Sequence, residues 1–114
     1  MGNYIPDRGD AVWINFNPQA GYEQSRRSPA VVLSRSSYNG KVGLAIFCPV
    51  TNQVKGYPFE AIIPSGLKIA GAILSDQFNS LDWKIRNAEF YDKIPESIIF
   101  EIFKKLSTLL RFDK

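Results

Sequence analysis

Gly21 to Ser34 reads GYEQSRRSPAVVLS, and within it Glu23, Gln24, Arg26 and Arg27 precede Ser28-Pro29. A guanidinium is planar and always charged, and it can grip an oxyanion with two parallel hydrogen bonds. By residue type this polar loop is therefore an anion-binding candidate. Further on, Thr51 ends an apolar run, a second polar loop carries Lys55 and Tyr57, and Ser75-Asp76-Gln77 ends a short apolar segment. Tyr57 is a candidate stacking surface, because its loop is polar. Each residue also has an ordinary reading. Taken alone, Arg26 and Arg27 are more often solvated loop charges and Thr51 a strand end, while Asp76 reads about equally as the cap of the next segment.

Histidine is absent, which removes the commonest general acid/base and the commonest zinc ligand. One cysteine, Cys48, cannot close an internal disulfide or supply a thiolate cluster. It sits in an apolar run, so it reads as a small buried hydrophobe. No metal or other cofactor is expected. Any catalysis falls to arginine, threonine, serine, tyrosine, lysine and carboxylates.

The elements that must hold these residues are legible as short strands. Val12, Ile14 and Phe16 share one face at period two, and the Gly9 turn precedes them. Pro29 gates the polar loop into a second strand, Ala30 to Ser34. Asn39-Gly40 is a hairpin signal ahead of the third strand, Leu44 to Val50, whose apolar run places it centrally. Phe59 to Ile63 and Gly71 to Leu74 are the fourth and fifth strands. Phe78 to Leu81 is expected as a brief turn or 3₁₀ segment, and Asp82 to Phe90 as a sixth strand. Pro95 opens the one helix, with Ile98, Ile102, Leu106 and Leu110 at i+4 and Phe103 and Leu109 beside them as its core face. Trp13 and Trp83 read as packing residues. Six strands and one helix predict a mainly β, partly open small barrel with a C-terminal helix packed across it.

The 114 residues fit one domain, residues 1–114. A net charge of +3 tolerates a polyanionic partner without demanding one. No apolar run approaches a membrane span and no signal peptide opens the chain, so a cytoplasmic home without a membrane is expected.

Five segments in order, PDRGDAVWINFNPQAGYEQ, SPAVVLS, YNGKVGLAIFCPVTNQVKGYPFEA, ILSDQ and SLDW, resemble the MazF/PemK (Kid) toxins. These are the endoribonuclease toxins of bacterial type II toxin–antitoxin systems. The likeness runs from about Tyr4 to Leu110. It implies an SH3-like barrel of the PemK/Kid/CcdB kind, working as a homodimer. It also implies metal-independent, sequence-specific cleavage of single-stranded mRNA and a MazE-like antitoxin as partner. Cleavage in this family proceeds by attack of the ribose 2′-hydroxyl on the adjacent phosphate. The gyrase-poison toxins share the barrel, but the Gly-x-Glu-Gln and Pro-x-Thr segments resemble the ribonuclease branch.

Carried over residue by residue, the resemblance assigns catalytic positions to Thr51, Glu23 and Asp76. It assigns RNA contacts to Gln24, Arg26, Lys55, Tyr57 and Gln77. One position departs. The family arginine that precedes the proline of the second strand is Ser28 here, with Arg27 just upstream. Three readings stay open: Arg27 takes over, the chain is an attenuated toxin, or it is a non-catalytic module that binds RNA or antitoxin.

Overall fold

The computed structural model describes residues 3–16 and 27–112. Its strands are β1 (Asp10–Asn15), β2 (Arg27–Val32), β3 (Leu44–Thr51), β4 (Glu60–Ile62), β5 (Ala72–Leu74), β6 (Asn79–Asp82) and β7 (Glu89–Lys93). Two helices join them, α1 (Ser36–Val42) and α2 (Glu96–Leu109). The sheet is antiparallel, in the order β4-β5-β3-β2-β1-β7, with β6 also paired to β3. It does not close, so the mainly β expectation holds as a barrel-like sheet left open.

Period two buries both faces of the three inner strands. Ala11, Val31 and Cys48 point to a core shared with Ile99, Ile102 and Leu106 of α2. Val12, Ile14, Ala30, Val32 and Phe47 point the other way, under Trp83. Trp83 is 7% exposed, and its indole N–H donates to the Asn39 carbonyl at 3.0 Å. Trp83 packs as expected, whereas Trp13 is only partly buried, in ring contact with Tyr91.

Cys48 lies wholly inside the first core. Burial, and secondarily the Asp76 carboxylate, push its thiol up to about 12. A raised value favours the protonated thiol in the folded chain. That contribution is complete below the ordinary thiol range near 9.0 and is lost as pH rises from there through about 12. Cys48 is therefore expected to resist alkylation at pH 8 until denaturant unfolds the chain, as thiol titration would show.

Five elements depart from the sequence reading. The hairpin expected at Asn39-Gly40 is helix α1. The Asn39 amide donates to Pro6 O and Ser34 O at 2.7 and 3.0 Å and accepts from the Ser34 hydroxyl at 2.7 Å. Tertiary partners thus satisfy a side chain that would otherwise favour a turn. The left-handed residue is Gly43 (φ 86°), which caps α1 at its C-terminus. Phe78 to Leu81 is not a turn, since most of it belongs to β6. Only Leu81 there is even partly buried, so no periodicity marks the strand. Asp82 to Phe90 is interrupted where Asp82 Oδ1 accepts the N–H groups of Lys84 and Ile85, both at 3.0 Å, and where Asn87 turns left-handed (φ 54°). The core face of α2 is Ile99, Ile102 and Leu106; Leu109 and Leu110 are exposed. Strand β2 also begins before its proline. Pro29 pairs with Trp13 inside the strand, and the ladder to β3 ends at Ala30 opposite Pro49.

Candidate active site

β3 changes partners along its length, and the change builds the site. Leu44 to Phe47 pair with β6, whereas Val50 and Thr51 pair with β5. Between those ladders, Cys48 and Pro49 on β3 face the longer excursion Leu74 to Phe78. Pro49 has no N–H to donate, so the ladder is weakest there. The excursion bends out as a single 3₁₀ turn, Ser75–Gln77, and carries Asp76 and Gln77 outward as exposed side chains.

Thr51 ends β3 beside this turn. Its hydroxyl accepts the N–H of Gln53 at 3.0 Å, a short side-chain turn that fixes the oxygen and leaves its own hydrogen available to donate. The loop after it folds over a buried carboxylate. Glu60, 7% exposed, accepts the N–H groups of Gly56 at 2.8 Å and of Lys55 at 3.2 Å. From α2, the Lys105 ammonium donates to Pro58 O at 2.7 Å. Two anchors of opposite charge therefore hold residues 55–58 in place.

The result is an open cleft of about 340 Å³. Thr51, Lys55, Tyr57, Asp76 and Gln77 line it together, over Phe59 and Leu74. Five residues singled out in the sequence, from three separate segments, thus meet at one place. Tyr57 is 60% exposed, and the Lys55 ammonium lies 6.0 Å from its ring centre. Gln53, Pro58 and Glu60 complete the lining, and the sequence reading gave none of them a role. Glu60 could have been suspected, because a carboxylate inside an apolar run needs partners once it is buried. Among the described residues no three Asp, Glu or Cys side chains converge as metal ligands.

Arg27 is placed elsewhere. Its guanidinium donates to Trp13 O at 3.1 Å, to Asn87 O at 2.7 Å and to Glu89 Oε1 at 3.1 Å, with 13% of the side chain exposed. It ties β2 to β1 and β7 and does not line the cleft. Ser28 pairs with Ile14. Continued past Ala30 opposite Pro49, the β2–β3 register sets Ser28 across from Thr51. Glu23, Gln24 and Arg26 lie outside the described residues.

Replacing Glu60 with alanine is expected to cost about 1–3 kcal/mol, because two backbone N–H groups lose their acceptor. The released loop should also be cut faster by trypsin after Lys55. Chemical denaturation and timed proteolysis check both.

Comparison with known proteins gives this geometry a lineage. Residues 7–110 match the family described as the PemK-like, MazF-like toxin of type II toxin–antitoxin systems. The chain is 46% identical over 88 residues to the endoribonuclease toxin MazF of Escherichia coli K12, covering 77% of this chain and 78% of that protein. It superposes on a crystal structure of MazF from Deinococcus radiodurans with a TM-score of 0.87 at 48% identity, covering 96% of this chain and all of the other. A MazE–MazF crystal structure from the same organism gives a TM-score of 0.87 at 42% identity over 97% of this chain and all of the other. With its matching fold and a match that spans nearly its full length, the chain belongs to the PemK-like, MazF-like family of type II toxins.

Proposed function

We propose that the chain is an endoribonuclease toxin that cuts single-stranded mRNA at a short sequence in the cytoplasm, without a metal. The observation that carries this reading is the cleft joining Thr51, Lys55, Tyr57, Asp76 and Gln77 in a member of a toxin family whose relatives are named endoribonucleases. In the proposed step the ribose 2′-oxygen forms a bond to the adjacent phosphorus and the bond to the 5′-oxygen breaks. Glu23 takes the 2′-hydroxyl proton, and an acid returns one to the leaving 5′-oxygen. The products are a cyclic phosphate and a free 5′-hydroxyl. Thr51 donates to a non-bridging phosphate oxygen where negative charge builds up. Lys55 and Tyr57 hold the chain of nucleotides by charge and stacking, with Gln24, Arg26 and Gln77 as further RNA contacts.

The proposed assembly is a homodimer neutralised by a cognate antitoxin. The MazE–MazF crystal structure from Deinococcus radiodurans supports such a partner. An acidic segment that orders on binding would suit this chain's basic balance.

Cleavage of a long mixed-sequence RNA in EDTA, with the ends mapped, tests the reading. The expected result is cutting at one short motif, reduced about 10²–10³-fold by Thr51→Ala. Binding without any cutting, even with an arginine restored at position 28, would favour a non-catalytic module that holds RNA or antitoxin. That second reading draws on Ser28 and on the engagement of Arg27 by Glu89.

A further inference from the structure

Thr51 also stands on the rim of a second cleft, about 380 Å³, which lies between β1, β7 and the loop before β5. Trp13 and Tyr91 wall it, their ring centres 5.0 Å apart and tilted by 48°. Val50 and the buried Ile69 add apolar lining, and the exposed Asn52 and Lys68 add polar lining. No carboxylate lines it. The two acidic groups of β7 have partners of their own. Asp92 accepts the backbone N–H groups of Lys68 and Lys93, both at 2.8 Å, and Glu89 pairs with Arg27 at 3.1 Å. The Tyr91 hydroxyl donates to Lys68 O at 2.9 Å, which fixes the loop and its lysine against the aromatic wall.

We propose that this second cleft is a nucleobase subsite, which takes the unpaired base of a nucleotide next to the scissile phosphate. The inference rests on the ribonuclease reading above and adds the place where part of the RNA sequence is sensed. The volume falls in the range of small-ligand sites. An aromatic wall accepts the π-face of any base, the apolar lining excludes water, and an exposed carboxamide can donate to and accept from a base edge. Lys68 supplies a cation for the next phosphate along the strand. A strand of RNA whose phosphate rests at Thr51 has one neighbour in the cleft of Lys55 and Tyr57. Its other neighbour is at the Trp13–Tyr91 wall.

The test uses a short RNA carrying the mapped cleavage sequence, with a 2′-deoxyribose at the cut so that it binds intact. In Trp83→Phe protein Trp13 is the remaining tryptophan, and its emission should change on binding. That change should vanish when one nucleotide flanking the cut is made abasic. Tyr91→Leu is expected to raise KM for the cleavable RNA about 5- to 150-fold, with a smaller effect on kcat. Tyr91→Phe, which keeps the ring but loses the hydroxyl that holds the Lys68 loop, should raise KM less than Tyr91→Leu and keep the base-dependent change in Trp13 emission.

If the chain cuts RNA but no abasic position affects Trp13 emission, the subsite is overturned and the ribonuclease reading survives. The same holds if Tyr91→Leu leaves KM unchanged. A Tyr91→Leu protein that changes its sedimentation without changing base preference would assign the cleft to contact between copies. A chain that neither binds nor cuts RNA overturns both.

Discussion

Replacing Ser28 with arginine is expected to raise the rate of RNA cleavage by about 10²–10³-fold, the usual worth of one preorganised group that meets developing charge. The geometry behind this is local. Position 28 lies two residues beyond the last β2–β3 pair, where the continued register sets it across from Thr51, the residue proposed to touch the scissile phosphate. A serine hydroxyl there offers one donor and no charge, whereas a guanidinium offers five donors and a fixed positive charge. Arg27 does not stand in for it in this fold. Three hydrogen bonds, one of them to a carboxylate, hold it toward Trp13, Asn87 and Glu89. Single-turnover cleavage of the mapped RNA by the two proteins measures the difference. Equal rates would mean that another group already does the work, and Arg27→Gln would then show whether it is Arg27.

Gly71→Ala carries the largest expected structural effect. Gly71 has φ of +116°, in the region L-residues rarely adopt, and a methyl there would sit 2.1 Å from the carbonyl oxygen of Thr51. Backbone must move on both sides, and it is the backbone that presents the proposed catalytic hydroxyl. A loss of about 3 kcal/mol or more is expected, made up of the φ penalty and the overlap. The melting temperature should fall by about 10 °C or more, and residual folded protein should cleave poorly. Gly56 is the internal control. It also has positive φ, +82°, but open space surrounds it, so Gly56→Ala should cost only about 1 kcal/mol. Equal losses at the two glycines would refute the close approach at Thr51.

Much of the fold and part of the site were legible without coordinates, for identifiable reasons. Val12, Ile14 and Phe16 alternate because β1 buries its two faces differently, and such local patterns survive in any sequence that folds this way. The apolar run ending at Thr51 announced a central strand, and β3 does carry three partners. The amphipathic spacing after Pro95 announced α2. The resemblance to the toxin family marked Thr51, Lys55, Tyr57, Asp76 and Gln77, although nothing local said that they would share one cleft.

What escaped the sequence depends on contacts between distant segments. Asn39-Gly40 carries a turn signal, yet Pro6, Ser34 and Trp83 satisfy Asn39 within a helix. β6 has almost no buried side chain, so only its pairing to β3 makes it a strand. The same holds for function. By itself the chain determined an inventory without histidine, the strands that carry its polar groups, and the serine at position 28. Only the tertiary structure decided that Arg27 turns to Glu89, that Glu60 and Lys105 pin the Tyr57 loop, and that Thr51 borders two clefts. Those outcomes are set by register and by the pairing of buried polar groups across the sheet, and neither leaves a periodic trace along the chain.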